Sequence, residues 1–413
     1  MPVAKKKETT TNGGCDRRWN EVWGDCPIFV TAWNKTLAAL RGHEWPRAEA
    51  VAIAVDVGDK EEGNSGDRRL RQKLSHKRWK PIVSHLFAPA EEGIMASITV
   101  PNPLPSPEQD AQNLRKAFQG WGTDEKAIIG ILSHRKAAQR AAISETYARL
   151  YNESLLQRLH SELSGDFRGA VMLWTADPAE RDAKLAHKAL KKKDDRHVWV
   201  MIEVACASSS DHLMAVRKAY HSLFSSSIEE DVAFKFSETN PLRQLLVQLV
   251  SSYRYDGEHV DEEIAKFEAA ELHDAIRKSQ PCHAEVIRIL STRNKVQLEE
   301  TFKHYEQNFG KAIDEDINNQ GSSQLFSMLK AIVWCLTSPE RHFAEVIRSS
   351  ILGLGTDEAS LTRSIVSRAE IDMKKIKEEY KKRYRTTLND DVIGDTSGYY
   401  KSFLLALVGS ADS

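Results

Sequence analysis

The sequence predicts an all-α protein made of four related units. Tyrosine recurs at intervals of 73, 85 and 75 residues, at Tyr147, Tyr220, Tyr305 and Tyr380. An arginine stands 12 positions before three of them, at Arg135, Arg293 and Arg368, and the second unit has Ser208 there instead. No segment alternates apolar and polar residues for long enough to indicate a sheet. Repetition at this period indicates four helical units of roughly 70 residues, running from about position 106 to the C-terminus.

The first helix of the first unit is predicted to follow Ser106. The Ser106 hydroxyl can cap the helix, and Pro107 suits the first helical position. Apolar residues then recur at helical spacing, at Leu114, Ala117 and Phe118. Gly120 is expected to end this helix, because glycine commonly follows a helix C-terminus.

A second helix is predicted after the glycine loop. Thr123 can cap it, and Asp124 and Glu125 fall in the first turn, where negative charge is favourable. An apolar stripe follows, at Ile128, Ile131 and Leu132. Later units end on short apolar runs, such as residues 325–329 and 403–407, which are too short to span a bilayer.

Residues 1–94 have a different character from the repeats. They carry five of the nine tryptophans and no sustained helical stripe. We expect a poorly ordered extension or a translated leader, with an accessory domain as the alternative, and Met95 resembles a natural start. The predicted units are 95–174, 175–253, 254–336 and 337–413.

Composition indicates a soluble intracellular protein. With 58 basic and 59 acidic residues, the chain has no bulk field that would indicate a nucleic-acid partner. The five cysteines lack metal-site spacing and an even count, which favours free thiols in a reducing compartment. The N-terminus has no apolar core typical of a secretory signal.

Two loops carry the strongest functional signal. Residues 120–125 read Gly-Trp-Gly-Thr-Asp-Glu, and residues 353–358 read Gly-Leu-Gly-Thr-Asp-Glu. An acid lies 40 positions after the second glycine of each loop, at Glu162 and at Asp395. Because glycine tolerates positive φ, such a loop can turn carbonyls outward, and a returning carboxylate completes an all-oxygen site. This pattern predicts calcium binding.

The second and third units lose the glycines and the acid together. The loop positions hold Lys193 and Asp195 in the second unit and Lys278 and Gln280 in the third. The acid positions hold Lys235 and Gln320. Because the glycines and the acid are missing in the same units, they are interpreted as parts of one site. These units are therefore predicted to lack the calcium site.

The four units, the paired loops and the ending Gly-Asp-Thr-Ser-Gly-Tyr-Tyr at 394–400 resemble an annexin over roughly residues 97 to 413. The resemblance is to the plant type of annexin, because the glycine loops are kept only in units one and four and the first loop carries Trp121. This resemblance implies four repeats of five helices forming a slightly curved disc. It also implies that the convex face carries the calcium loops and docks on anionic phospholipid.

Each intact loop is assigned one calcium ion. The first ion is assigned to the carbonyls of Phe118, Gly120 and Gly122 and the carboxylate of Glu162. The second is assigned to the carbonyls of Ile351, Gly353 and Gly355 and the carboxylate of Asp395. These sets fall short of the usual six to eight oxygens, which leaves positions for water or a lipid phosphate. Trp121 and Leu354, at the loop tips, are predicted membrane contacts.

The sequence also offers alternatives to these two calcium loops. A competing calcium motif, the EF-hand, begins at Asp314 but fails where Asn319 replaces glycine and Leu325 replaces the bidentate glutamate. The family resemblance suggests a peroxidase using His134, or a nucleotide hydrolase using Asp395. It also suggests an F-actin motif at residues 287–289 and a redox pair, Cys206 and Cys335. A helical-repeat scaffold for protein partners is a further alternative.

We therefore expect a cytoplasmic protein without an enzymatic site that binds anionic, phosphatidylserine-like membranes when calcium rises. Calcium is the expected cofactor, F-actin is a further predicted partner, and no nucleic acid is expected.

Overall fold

In the computed structural model, the described residues are 95–120, 122–192, 198–321, 323–353 and 355–410. Within these ranges the chain forms twenty α-helices and no strand, which confirms the all-α prediction. The predicted extension, residues 1–94, lies outside the described residues. Among the described helices, none combines the length and the apolar composition that a membrane span requires.

The helices fall into four groups of five. The first group is α1 (Pro107–Ala117), α2 (Glu125–Leu132), α3 (Ala137–Tyr151), α4 (Leu155–Glu162) and α5 (Gly165–Thr175). The second is α6 (Pro178–Lys191), α7 (Val198–Cys206), α8 (Ser210–Phe224), α9 (Ile228–Lys235) and α10 (Pro241–Ser251). The third is α11 (Glu262–Arg277), α12 (Ala284–Thr292), α13 (Lys295–Phe309), α14 (Ile313–Asn319) and α15 (Gln324–Thr337). The fourth is α16 (Pro339–Ile351), α17 (Glu358–Arg368), α18 (Met373–Tyr384), α19 (Leu388–Asp395) and α20 (Gly398–Val408).

The start of α1 is as predicted, but the start of α2 is not. Ser106 caps α1 by accepting a hydrogen bond from the Gln109 amide. At α2 the cap is Asp124, which accepts from the Ala127 amide at 3.0 Å, so the prediction that Thr123 caps this helix was wrong. Thr123 instead donates its hydroxyl to an acid 39 positions further along the chain.

Two hydrophobic cores divide the repeats into pairs. Units one and four share one core, and units two and three share the other. In the first core, the Phe167 ring of α5 meets the Phe403 ring of α20 edge-on, with 6.0 Å between ring centroids. Trp174 is fully buried in this core and donates its indole hydrogen to the Leu132 carbonyl at 2.7 Å. The first and last units are therefore held side by side although they lie far apart in sequence.

The recurring tyrosines donate to an aspartate eleven residues later in three units. The pairs are Tyr220 with Asp231 at 2.5 Å, Tyr305 with Asp316 at 3.0 Å and Tyr380 with Asp391 at 2.6 Å. Burial and the facing aspartate raise the pKa of all three tyrosines, which therefore remain protonated donors. The first unit departs from this rule, because Arg158 stands at the aspartate position.

Two of the recurring arginines pair with a buried acid, while the third, Arg368, pairs with Asp372 four residues later at 2.5 Å. Arg135 binds Asp110 at 2.6 Å, and Arg293 binds Glu268 at 2.6 Å, the acid lying on the first helix of the same unit. In the second unit, where Ser208 replaces the arginine, Ala183 stands at the register position of these acids. The neighbouring Asp182 is buried and pairs with Arg181 and His212 instead, so that acid is compensated by other partners.

A short N-terminal segment joins unit one to unit four. The Ser97 amide donates to the Ala369 carbonyl at 3.0 Å, and the Ser97 hydroxyl donates to the Leu407 carbonyl. The Met95 carbonyl accepts from the Lys374 amide at 3.1 Å. The described chain therefore begins as an ordered part of the four-unit structure.

Candidate calcium sites

Both glycine loops adopt backbone conformations that favour glycine. The φ angles are +116° at Gly120 and +90° at Gly122, and +133° at Gly353 and +95° at Gly355. An added Cβ would meet no other atom within 4 Å at any of the four positions. The glycines are therefore required by backbone conformation and not by lack of space.

The same hydrogen bond closes each loop. The Asp124 amide donates to the Ala117 carbonyl at 2.9 Å, and the Asp357 amide donates to the Ser350 carbonyl at 2.8 Å. These pairs occupy the same register in units one and four. The repeated sequence has therefore folded into the same loop twice.

Each predicted acid reaches back to its own loop. The Thr123 hydroxyl donates to Glu162 Oε2 at 2.7 Å, and the Thr356 hydroxyl donates to Asp395 Oδ2 at 2.5 Å. Both acids are the last residue of a helix, α4 or α19, and both are half-buried. The threonine is the link that fixes the carboxylate beside the glycines, and this function explains its presence in both loops.

One cleft of about 340 Å³ has the acids of both loops in its lining. Glu162 and Asp395 both line it, together with three further carboxylates, Glu125, Asp166 and Glu358. A cleft lined by one sign of charge raises the local concentration of counter-ions. The two acids thus open onto a shared, cation-attracting region between units one and four.

The donor atoms fit a hard cation. In the described part of the chain, no group of three or more His, Cys, Asp and Glu side chains could hold a metal. A metal here would therefore depend on backbone carbonyls and one carboxylate, a set that suits calcium and not zinc. The ligand set stays a prediction: Phe118, Gly120, Gly122 and Glu162 in unit one, and Ile351, Gly353, Gly355 and Asp395 in unit four.

The predicted membrane contacts, Trp121 and Leu354, lie outside the described residues. Their neighbours on the described side, Gly120, Gly122, Gly353 and Gly355, are all exposed. Leu352, next to the fourth-unit loop, is an exposed large apolar residue with 58% of its surface accessible.

In unit two, a lysine replaces the acid and contacts the loop. The Lys235 ammonium donates to the Lys192 carbonyl. In unit three, neutral groups meet instead, since the Ser279 hydroxyl donates to the Gln320 side-chain oxygen at 3.3 Å. Lys193 and Asp195 lie outside the described residues. Neither arrangement offers the carboxylate found in units one and four.

The residues behind the alternative functions have ordinary structural partners. His134 Nδ1 lies 2.8 Å from the Thr99 carbonyl, in the segment that precedes α1. In the actin-type tripeptide, Ile287 and Ile289 are buried, while Arg288 pairs with Glu268 and Glu285. The actin interaction stays a prediction.

The two cysteines at 206 and 335 are free thiols in the core of units two and three. Burial raises the pKa of Cys206 to about 11 and that of Cys335 well above its ordinary value. Both are therefore protonated near neutral pH, which lowers their reactivity.

Sequence reasoning missed Arg158. Its guanidinium pairs with Glu162 Oε1 at 2.8 Å and donates to the Phe118 carbonyl at 3.3 Å. Both of these groups belong to the predicted first calcium site. The tyrosine register contained the signal, because three units have aspartate where the first has arginine.

Known proteins share this architecture. The Annexin family model matches the chain four times, at residues 109–174, 181–249, 267–332 and 342–407. The chain is 50% identical over 321 residues to Annexin D3 of Arabidopsis thaliana, covering 76% of this chain and 99% of that protein. Among solved structures, annexin III matches with a TM-score of 0.70 and 32% identity, covering 77% of this chain and 98% of that chain. A calcium-bound annexin (Sm)1 matches with a TM-score of 0.66 and 28% identity, covering 75% and 91% respectively.

Proposed function

Because this chain belongs to the annexin family, for which calcium-dependent phospholipid binding is the general activity, we propose that its unit-one and unit-four loops perform that binding. The observation that carries the proposal is the repeated pairing of a glycine loop with a carboxylate. Thr123 holds Glu162, and Thr356 holds Asp395, in the same register. Both carboxylates line one cleft, so one membrane surface can engage both loops.

The loops contribute an incomplete coordination shell. Glycines with positive φ allow the loop to turn its carbonyls outward, and the threonine hydroxyl orients the carboxylate without adding charge. A bound calcium ion would supply the positive charge that links these oxygens to a lipid phosphate. Since each loop offers fewer than six to eight oxygens, phosphate oxygens complete the shell. Anionic lipid and calcium must then tighten each other's binding by the same factor.

The cellular location that we propose follows from this activity. We propose that the protein is cytoplasmic and associates peripherally with membranes when calcium rises, with each predicted unit, from 95–174 to 337–413, acting as one repeat. We propose no reaction. The family is generally membrane-binding, His134 lies against the Thr99 carbonyl, and Asp395 accepts a hydrogen bond from Thr356.

The direct test is sedimentation with vesicles. The protein should pellet with vesicles containing phosphatidylserine when calcium is present, and stay in the supernatant with a calcium chelator. Vesicles of phosphatidylcholine alone serve as the control for anionic lipid. Calcium-independent pelleting, or none at all with anionic vesicles, would contradict the proposal.

Trp121 is expected to strengthen membrane binding without holding the ion. Replacing it by alanine should weaken binding to anionic vesicles at saturating calcium, because an interfacial aromatic ring is lost while the carbonyl ligands remain. The measurement is a vesicle titration at fixed calcium. Calcium binding without vesicles should be unchanged, and equal vesicle affinity of variant and wild type would assign Trp121 to packing.

A further inference from the structure

Arg158 breaks the pattern of the four units at a position beside the first loop. In the other three units, the residue eleven positions after the recurring tyrosine is an aspartate that accepts the tyrosine hydroxyl. In unit one the tyrosine, Tyr147, instead accepts a hydrogen bond from Arg115 at 3.3 Å. The charge at this position is therefore reversed only in unit one.

The reversed charge reaches two of the assigned calcium ligands. The Arg158 guanidinium lies 2.8 Å from Glu162 Oε1 and 3.3 Å from the Phe118 carbonyl oxygen. Both side chains of the ion pair are largely shielded from water, with 28% of Arg158 and 20% of Glu162 exposed. At this shielding, a charge pair interacts more strongly than it does on an open surface.

Unit four has the same loop without the arginine. Asp395 accepts from Thr356, and it has no ion-pair partner among the residues that the structure describes. The position equivalent to Arg158 is Asp391, which is paired with Arg348 at 2.5 Å and accepts from Tyr380. The carboxylate of the fourth-unit site therefore keeps its negative charge uncompensated, whereas that of the first-unit site is compensated by Arg158.

We propose that Arg158 is a built-in competitor for the first calcium site, so that unit four fills at lower calcium and unit one fills second. The inference rests on the proposed function, since it assigns an order to the same two sites. The guanidinium donates to oxygens that the ion needs, and it must leave Glu162 before they can coordinate. Calcium affinity follows the charge and number of ligands, so a compensated carboxylate makes a weaker site.

Competition by Arg158 makes membrane attachment depend on calcium in two steps. At low calcium only the fourth-unit loop is bridged, and full attachment requires the higher concentration at which Arg158 is displaced. The displaced guanidinium is not left without a partner, because Glu153 lies 3.8 Å away. Glu153 also binds Arg115 at 2.9 Å, so removal of Arg158 leaves no unpaired carboxylate there.

The test measures the first site alone in the full-length chain. D395N silences the fourth-unit acid, and calcium binding is then compared between D395N and D395N with R158M. We expect D395N with R158M to bind calcium about tenfold more tightly than D395N alone in isothermal titration calorimetry, because Glu162 is then no longer compensated by the arginine. The calcium midpoint for pelleting with phosphatidylserine vesicles should fall by a similar factor.

Two further variants keep the test decisive. R149M makes the same charge change in unit one, at an exposed arginine that pairs with Glu108, and should leave affinity unchanged. R158D reproduces the aspartate of the other units and should tighten binding even if R158M folds poorly. Melting curves without calcium check that each variant is folded.

The outcomes separate the two proposals. If R158M and R158D bind calcium as R149M does, while E162Q in the D395N background abolishes binding, the competitor role is wrong and the site assignment stands. If E162Q in that background changes nothing, the site assignment itself is wrong.

Discussion

Replacing both loop acids by amides, Glu162→Gln with Asp395→Asn, is expected to abolish calcium-dependent pelleting with phosphatidylserine vesicles. Each acid supplies the only carboxylate assigned to its ion, so the amides remove the charge that the cation requires. Both amides can still accept the threonine hydroxyl, so the helical circular dichroism should not change. Unaltered pelleting of the double variant would refute the site assignment.

The matched control uses two other carboxylates of the same cleft. Glu125 and Glu358 occupy equivalent positions in units one and four and line the cleft beside the assigned ligands. Glu125→Gln with Glu358→Gln removes the same charge without touching an assigned ligand. This control should pellet with vesicles at nearly the calcium concentration of the wild type. Equal loss in both double variants would indicate that the general field of the cleft, and not coordination, attracts calcium.

Among the variants proposed here, Glu203→Ala should lower the free energy of unfolding the most. Glu203 on α7 is buried and accepts from His342 Nε2 at 3.1 Å and from Arg363 at 3.2 Å, both in unit four. Removing one partner of a buried ion pair leaves an uncompensated charge and costs about 3–5 kcal/mol. The melting temperature should therefore fall by several degrees, measured by circular dichroism.

An exposed carboxylate, Glu345, provides the control for this prediction. Glu345 pairs with Lys330 at 3.2 Å and has 42% of its side chain exposed, so Glu345→Ala should cost no more than about 1 kcal/mol. Equal melting temperatures for the Glu203 and Glu345 variants would show that Glu203 does not hold units two and four together.

The Glu203 contribution should also depend on pH. Burial by itself raises the pKa of this carboxyl, but Arg363 and His342 outweigh burial and hold the pKa below its ordinary value. A lowered carboxyl pKa stabilises the fold above the unfolded value of about 4.3, and the contribution disappears as pH falls through the folded value. The stability gap between wild type and Glu203→Gln should therefore be widest near neutral pH and should narrow as pH falls below about 4.3, through the lowered pKa of the folded state. A gap that widens on acidification would contradict the assigned ion pairs.

The sequence predicted those features that depend on local chemistry. Helix class, the Ser106 cap and the positive-φ glycines follow from the preferences of single residues and from periodicity. The equal acid spacing in two units then predicted that Glu162 and Asp395 return to their loops, and the threonine contacts place both acids there. Local preference and a repeated pattern were enough for these features.

Features decided by distant contacts could not be predicted in the same way. Thr123 and Asp124 are both good helix caps, and only the contact with Glu162 assigns the cap to Asp124. The shared core of units one and four joins Phe167 to Phe403, and no local periodicity indicates which units pair. The sequence shows that Arg158 replaces the aspartate of the other units. Only the folded chain shows that its side chain reaches the first loop.

The measurement that tests the central claim most directly is the number of calcium ions bound per chain in the presence of phosphatidylserine vesicles. Two ions from units one and four are predicted for the wild type, one for Glu162→Gln, one for Asp395→Asn and none for the double variant. Vesicles should tighten calcium binding to the wild type, because lipid phosphate completes each shell. An unchanged count in the double variant, or calcium binding indifferent to anionic vesicles, would contradict the account.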